Sequence, residues 1–213
     1  LSTSNVILIV DAATSYYKNK SPHALEISIG KDRILGSCGP FLGKSDIWKD
    51  ALSSSNAHSS LSIENSNAFS GEDEGQISKS KRFKINGSER IELIHYGYFK
   101  RFKAICKREI ELSDTGKIIA GEDIIEANKK LKFAIRFHFS PLIDVSLSRD
   151  NKSALIKIDR RVWDFRYSGL ANLSLSPSIN INDYGDEKNG LQLVLEGITK
   201  NVKQNILWGF FQN

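Results

Sequence analysis

The chain is written in short runs of β-branched and aromatic residues at a period of two, each closed by a turn signal, and that alternation leaves little else for it to fold into. Val6 to Val10, Leu25 to Ser28, Ile34 to Ser37, Glu89 to His95, Arg101 to Leu112 and Lys117 to Ile125 read as strands. So do Leu131 to Phe139, Val145 to Ser148, Ala154 to Ile158, Val162 to Tyr167, Leu191 to Glu196 and Asn205 to Phe211. Asn86-Gly87, Asp114-Thr115-Gly116 and Asp150-Asn151 supply hairpin tips, because Gly, Asn and Asp accept positive φ at little cost. The one helix candidate is about two turns from Ser45 to Leu52, with Ser45 or Asp46 as N-cap and Trp48 facing inward. Stretches rich in Ser, Gly and charge at 53–56, 69–80 and 182–189 read as surface loops. About a dozen strands with little helix predict an all-β fold, a large antiparallel β-sandwich. With no internal repeat and no clean linker, the 213 residues are expected to form a single domain, 1–213.

Composition removes several classes of function. At 40% hydrophobic and 26% charged, the chain is too apolar for intrinsic disorder. Its longest apolar run, Val6 to Val10, falls far short of the roughly 20 residues of a membrane-spanning helix, and no basic segment precedes it as in a signal peptide. Cys38 and Cys106 are too few for a disulfide framework and lack metal-like spacing, so the redox compartment stays open. The sequence starts at Leu1 and contains no Met, and the expectation drawn from this is a piece of a longer protein.

The net charge of +5 is unevenly placed. Between Lys79 and Arg108 stand ten basic residues and two acidic ones, a net of +8. Such a stripe suits an anionic polymer, either nucleic acid or an acidic polysaccharide, since neutralising a line of charge releases counterions. It equally suits the solvated face of a sheet, and Arg101, Lys103 and Lys107 do alternate with Phe102, Ala104 and Cys106. No known nucleic-acid-binding module fits these residues, which makes nucleic acid an unlikely partner.

Catalytic motifs are scarce: there is no phosphate-binding glycine loop, no nucleophile elbow and no histidine pair at helical metal spacing. His138 shares a strand face with Arg136, opposite Phe137 and Phe139, which favours a structural or surface role over a chemical one. His95-Tyr96-Gly97-Tyr98, followed by Lys100 and Arg101, has two readings. The tyrosines and Arg101 could stack on a sugar and pair with its carboxylate, or Gly97 could be the apex of a turn that sends one Tyr into the core. His58 follows a polar loop and leads into a strand, a usual place for a grafted site.

In their order and spacing these segments resemble the C-terminal β-sandwich of the heparinase II/III-like polysaccharide lyases, as found in bacterial cell-envelope proteins. The matching residues are Val10-Asp11-Ala12, Ser37-Cys38-Gly39, Ala57-His58-Ser59-Ser60-Leu61, His95-Tyr96-Gly97-Tyr98 with Arg101-Phe102, and Leu112-Ser113-Asp114-Thr115-Gly116. Gly121-Glu122-Asp123, Phe133 to His138, Val162-Trp163-Asp164-Phe165 and Asn205 to Phe210 continue the series.

The resemblance implies a two-part lyase that cleaves uronic-acid polysaccharide by β-elimination, with an N-terminal α/α toroid supplying most catalytic groups and the sandwich closing the cleft. It implies that Tyr96, Tyr98 and Arg101 border the substrate and that His58 is the candidate catalytic or metal-binding residue. Relatives carry a His-Asp-His type site for a divalent metal such as zinc. Here an ungapped alignment puts Asn19 at the first histidine, with His23 available after a shift, Ser37 at the acid, and Cys106 where relatives often show His. One histidine without a carboxylate is a poor tetrahedral zinc site. The expectation is therefore a sandwich that lacks its toroid, is inactive alone, and pairs with an acidic polysaccharide and a separately encoded toroid in the periplasm or cell envelope. A stand-alone carbohydrate-binding or structural sandwich is the alternative.

Overall fold

Alternation of inward and outward side chains organises the computed structural model, which describes residues 1–12, 21–40, 43, 45–69, 78–158, 160–182 and 184–213. In chain order the elements are β1 (Val6–Val10), β2 (Leu25–Ile29), β3 (Asp32–Gly36), α1 (Asp46–Ser53), a 3-10 turn (Ser55–Ala57), β4 (Leu61–Ile63), β5 (Ser78–Ile85) and β6 (Ser88–Tyr98). There follow α2 (Phe99–Phe102), β7 (Ala104–Leu112), β8 (Ile118–Glu126), β9 (Lys132–Phe139), β10 (Asp144–Leu147) and β11 (Ser153–Ile158). The last are β12 (Arg161–Ser168), β13 (Asn172–Ile181), β14 (Glu187–Ile198) and β15 (Lys203–Gln212). Among the described residues they build a seven-stranded sheet, ordered β1-β2-β3-β9-β14-β13 with β4 also on β9, and an eight-stranded sheet, ordered β10-β11-β12-β15-β8-β7-β6-β5. The fold is thus the expected all-β antiparallel sandwich.

The two sheets meet through aromatic rings. Phe137 of the first sheet has ring centroids 5.2 Å from Phe165, 5.0 Å from Trp208 and 5.7 Å from Phe210, all in the second. Tilted and edge-on pairs of this kind add roughly 0.5–1.5 kcal/mol each beyond simple burial. Around them Leu35, Ile135, Ile156, Leu193 and Ile206 are fully buried.

Several local expectations change. Phe99 to Phe102 form one helical turn and Lys103 adopts a left-handed φ of 55°, so the alternation of β7 starts only at Ala104. The inward side chains of β7 are then Ala104, Cys106, Arg108, Ile110 and Leu112, which takes Arg108 out of any surface stripe. Trp48 is 39% exposed rather than inward, and Leu52 is the buried residue of α1, whose N-cap is Ser45 as expected. Gly97 lies within β6 at a break in register with β7, not at a turn apex. Strands β4, β5 and β13 carry no strong pattern: β5 is almost wholly exposed, and β13 contains Pro177, tolerated because it is an edge strand. The Asn86-Gly87 tip does join β5 to β6, with φ values of 50° and 85° that match a type I′ hairpin turn. No helix among the described residues is long and apolar enough to cross a membrane.

Candidate functional site

Beyond the end of β3 the chain reaches Ser37, and the 3-10 turn brings His58 opposite it, the two forming an isolated antiparallel bridge. His58 is half-buried; burial lowers its pKa, while the Asp11 carboxylate and the Leu52 carbonyl act against that shift. His138, on the outer face of β9, reaches the same loop. Its Nε2 lies 2.9 Å from the Asn56 carbonyl, so it donates there, which leaves Nδ1 to accept from Ser178 Oγ at 2.8 Å. Cys38 Sγ stands 3.6 Å from that same Nδ1. Burial, chiefly, drives the His138 imidazole down to about 4, and burial raises the Cys38 thiol. This is a buried, neutral, hydrogen-bonded histidine, not a base facing solvent.

His23 lies elsewhere. It sits at φ 59°, fully packed, with its ring edge-on to His95 at 4.8 Å and its Nε2 3.5 Å from Ser78 Oγ. Its carbonyl accepts from Arg108 Nη1 at 2.8 Å. Burial and then the nearby positive groups push both imidazoles toward their neutral forms, His95 to about 3. Among the described residues no three His, Cys, Asp or Glu side chains converge as metal ligands. Asn19 lies outside those residues. The His58 imidazole with the Asp11 carboxylate near it does not make up the donors of tetrahedral zinc, and both nitrogens of His138 are already engaged.

The tyrosine pair divides. Tyr98 is 0% exposed, its hydroxyl donating to the Ser66 carbonyl at 3.0 Å, and burial raises its phenol pKa. Tyr96 is half-buried with its ring edge-on to Phe99 at 6.4 Å. Arg101 does not reach outward as a free cation: its Nη2 donates to the carbonyls of Asn67, Ala68 and Gly97 at 2.5, 2.8 and 3.1 Å, and its guanidinium packs over Tyr98 and Phe102. Together Tyr98 and Arg101 tie the 66–68 loop to the end of β6. The basic stripe is also partly spent. Arg82 and Lys84 pair with Glu89, Arg90 with Glu111, Lys107 with Glu126 and Arg108 with Asp123.

A groove that the strand pattern does not announce opens on the outer face of the seven-stranded sheet. It has a volume of about 570 Å³ and is lined by Glu64, Asn65, Lys132, Arg136, Asn172 and Glu196, among others. The alternation of β9 places Arg136 on that face, but only the fold brings in Glu64 and Asn65 from behind β4 and Asn172 and Glu196 from β13 and β14.

The architecture is that of a large two-sheet sandwich with its polar clusters at loops and strand ends, and solved lyases share it. Heparan sulfate lyase HepC from Pedobacter heparinus matches 98% of this chain and 33% of its own with a TM-score of 0.84 at 13% identity. A heparinase III structure matches 97% of this chain and 33% of its own, with a TM-score of 0.78 at 11% identity. The family described as heparinase II/III-like, C-terminal, matches residues 3–209, and the chain belongs to it. FtsZ-localized protein C of Caulobacter vibrioides is 25% identical over 212 residues, covering 88% of this chain and 36% of that protein. The chain spans about a third of the length of these relatives.

Proposed function

We propose that this chain is the sandwich portion of a polysaccharide-lyase-type protein of the cell envelope, that it holds an acidic, uronate-containing polysaccharide, and that it carries out no β-elimination by itself. The observation that carries this reading is membership of the heparinase II/III-like family across residues 3–209. The residue chemistry supports the second half. Elimination requires a neutralised substrate carboxylate, a base for the adjacent proton and an acid for the leaving oxygen. In the described residues His23, His95 and His138 are buried and held neutral, Tyr98 is sealed in the core, and burial lowers the pKa of His58 against the opposing pull of the Asp11 carboxylate. Tyr96 and the lysines of β5 are the groups with a face left for a polymer, while Tyr98 and Arg101 position the loop beneath them. An α/α toroid, in the same polypeptide or a separate one, would supply the missing catalytic groups.

A second reading takes the sandwich as a stand-alone, non-catalytic binding or structural module; a relative whose name gives localisation with FtsZ supports the non-catalytic part of it. Affinity electrophoresis of the purified chain in gels containing a polyuronate or a neutral glucan tests the first reading. Retardation by the polyuronate alone, weakening as salt rises, is expected; equal migration in both gels contradicts it.

A further inference from the structure

Arg136 of β9 is half-buried, lines the groove, and forms no ion pair among the described residues. Arg33, Arg82, Arg90, Arg108 and Arg166 all form ion pairs. Arg136 has a single hydrogen bond among the described residues, from Nη1 to Ser62 Oγ at 2.9 Å. A guanidinium carries five N–H donors in a planar fork, so four remain. The remaining donors open to the groove, where water or a ligand can meet them. Burial is the main influence on this group and pulls its pKa below the ordinary value, with Glu196 near enough to oppose the shift but not to bond.

The surroundings select among anions. The groove around Arg136 falls within the roughly 300–1,000 Å³ of small-molecule sites. Its other cation is Lys132, and it also contains Glu64 and Glu196, so its charge is balanced rather than positive. A phosphate ester, with about −1.5 to −2 charge, would be repelled by two carboxylates more strongly than a singly charged group. A single carboxylate can take the Arg136 fork in two parallel hydrogen bonds, while neighbouring hydroxyls of the same ligand donate to Glu196 and pair with the amides of Asn65 and Asn172. The Glu64 carboxylate is already fixed by the Lys132 backbone N–H at 2.7 Å, which makes that wall a preformed acceptor.

We infer that the groove on the outer face of β9 and β14 is a binding site for one uronic-acid unit of a glycan, with Arg136 taking the sugar carboxylate and Glu196 a ring hydroxyl. This rests on the acidic-polysaccharide reading above and gives it a place separate from the His58 and Tyr96 region.

The test is calorimetric titration of the intact chain with a short oligoglucuronate, alongside a neutral gluco-oligosaccharide of equal length and a tetrapeptide with a free C-terminal carboxylate. The oligoglucuronate alone should bind. Arg136→Lys, which keeps the charge but loses the fork, should weaken it at least about tenfold, the order of a lost hydrogen bond to a charged group. Glu196→Gln, which keeps an oxygen to accept the ring hydroxyl, should retain binding of the oligoglucuronate, and urea midpoints of both variants matching the wild type show that the loss in Arg136→Lys is not a failure to fold. Wild-type affinity in Arg136→Lys overturns the inference, as does equal binding of the neutral sugar or the peptide. Retardation by polyuronate gels together with no binding of the short oligomer overturns this site and leaves the broader reading standing; failure of both overturns the two together.

Discussion

Arg108 and Asp123 stand directly opposite each other on β7 and β8 and join through two hydrogen bonds, Nε to Oδ1 and Nη2 to Oδ2, both 2.8 Å. Their side chains are 1% and 2% exposed. Other partners add to the pair: Arg108 Nη1 donates to the carbonyls of His23 and Ser59, and Trp208 Nε1 donates to Asp123 Oδ2. The pair therefore ties the eight-stranded sheet to the segments leading into β2 and β4.

Removing one partner leaves the other charge buried alone. Asp123→Leu or Arg108→Met should each destabilise the chain by roughly 3–5 kcal/mol, and the double replacement Arg108→Met with Asp123→Leu should cost clearly less than the two single losses added. Urea midpoints of the four proteins check this. Strict additivity would show that the two side chains do not act as a unit.

Acid should unfold the chain earlier than its carboxylates alone require. Burial, reinforced by Arg108, holds the His95 imidazole down to about 3, and burial holds His138 at about 4. In the unfolded chain each takes up a proton near the ordinary 6.5. Below that pH the unfolded state binds more protons, so stability present at neutral pH is lost as pH falls from about 6.5 toward about 4. At about pH 5 the cost is on the order of 2 kcal/mol for each histidine. His138→Gln should flatten the pH dependence of the urea midpoint by roughly a third over this window, since His23 and His95 respond in the same direction; an unchanged slope would mean that His138 is accessible to protons in the folded state.

Much of this architecture is legible in the sequence, for physical reasons that also mark where legibility stops. Buried strands such as β9 and β15 alternate strongly because one face must meet the aromatic core. β5 does not, since an edge strand with both faces in water has no side to distinguish, and β13 hides behind Ser and Pro177. For the candidate site, the sequence singles out His58, Tyr96, Tyr98 and Arg101, but spacing says nothing of depth. Tyr98 follows Gly97 into the core because the backbone comes so close there that Arg101 can reach the Ala68 carbonyl. The Arg136 groove joins residues from 64 to 196, and no local pattern records such a meeting.

Gly97 is held by that close approach. A Cβ there would sit 2.7 Å from the Ala68 carbonyl oxygen and 2.9 Å from its carbon, both backbone atoms. Gly97→Ala should therefore cost about 1–3 kcal/mol, as overpacking does, and should speed amide exchange across 66–68. A thermal melt with exchange mass spectrometry reads both; an unshifted melt would show that the loop yields freely.

Zinc should do little through His58. A ligand that binds only the folded state raises its stability with concentration, yet His58 meets Ser37 and no converging set of ligands among the described residues. Zinc at micromolar to millimolar levels should produce no rise in melting temperature that His58→Ala abolishes. A saturable rise lost in that variant would show that a working site exists.

The central claim, that the sandwich holds an acidic glycan and does not cleave it, is tested most directly by incubating the purified chain with a polyuronate and following both co-sedimentation and absorbance at the unsaturated-sugar band. The account predicts salt-sensitive binding with flat absorbance. A sustained absorbance rise that disappears in His58→Ala, or no binding at low salt, would contradict it.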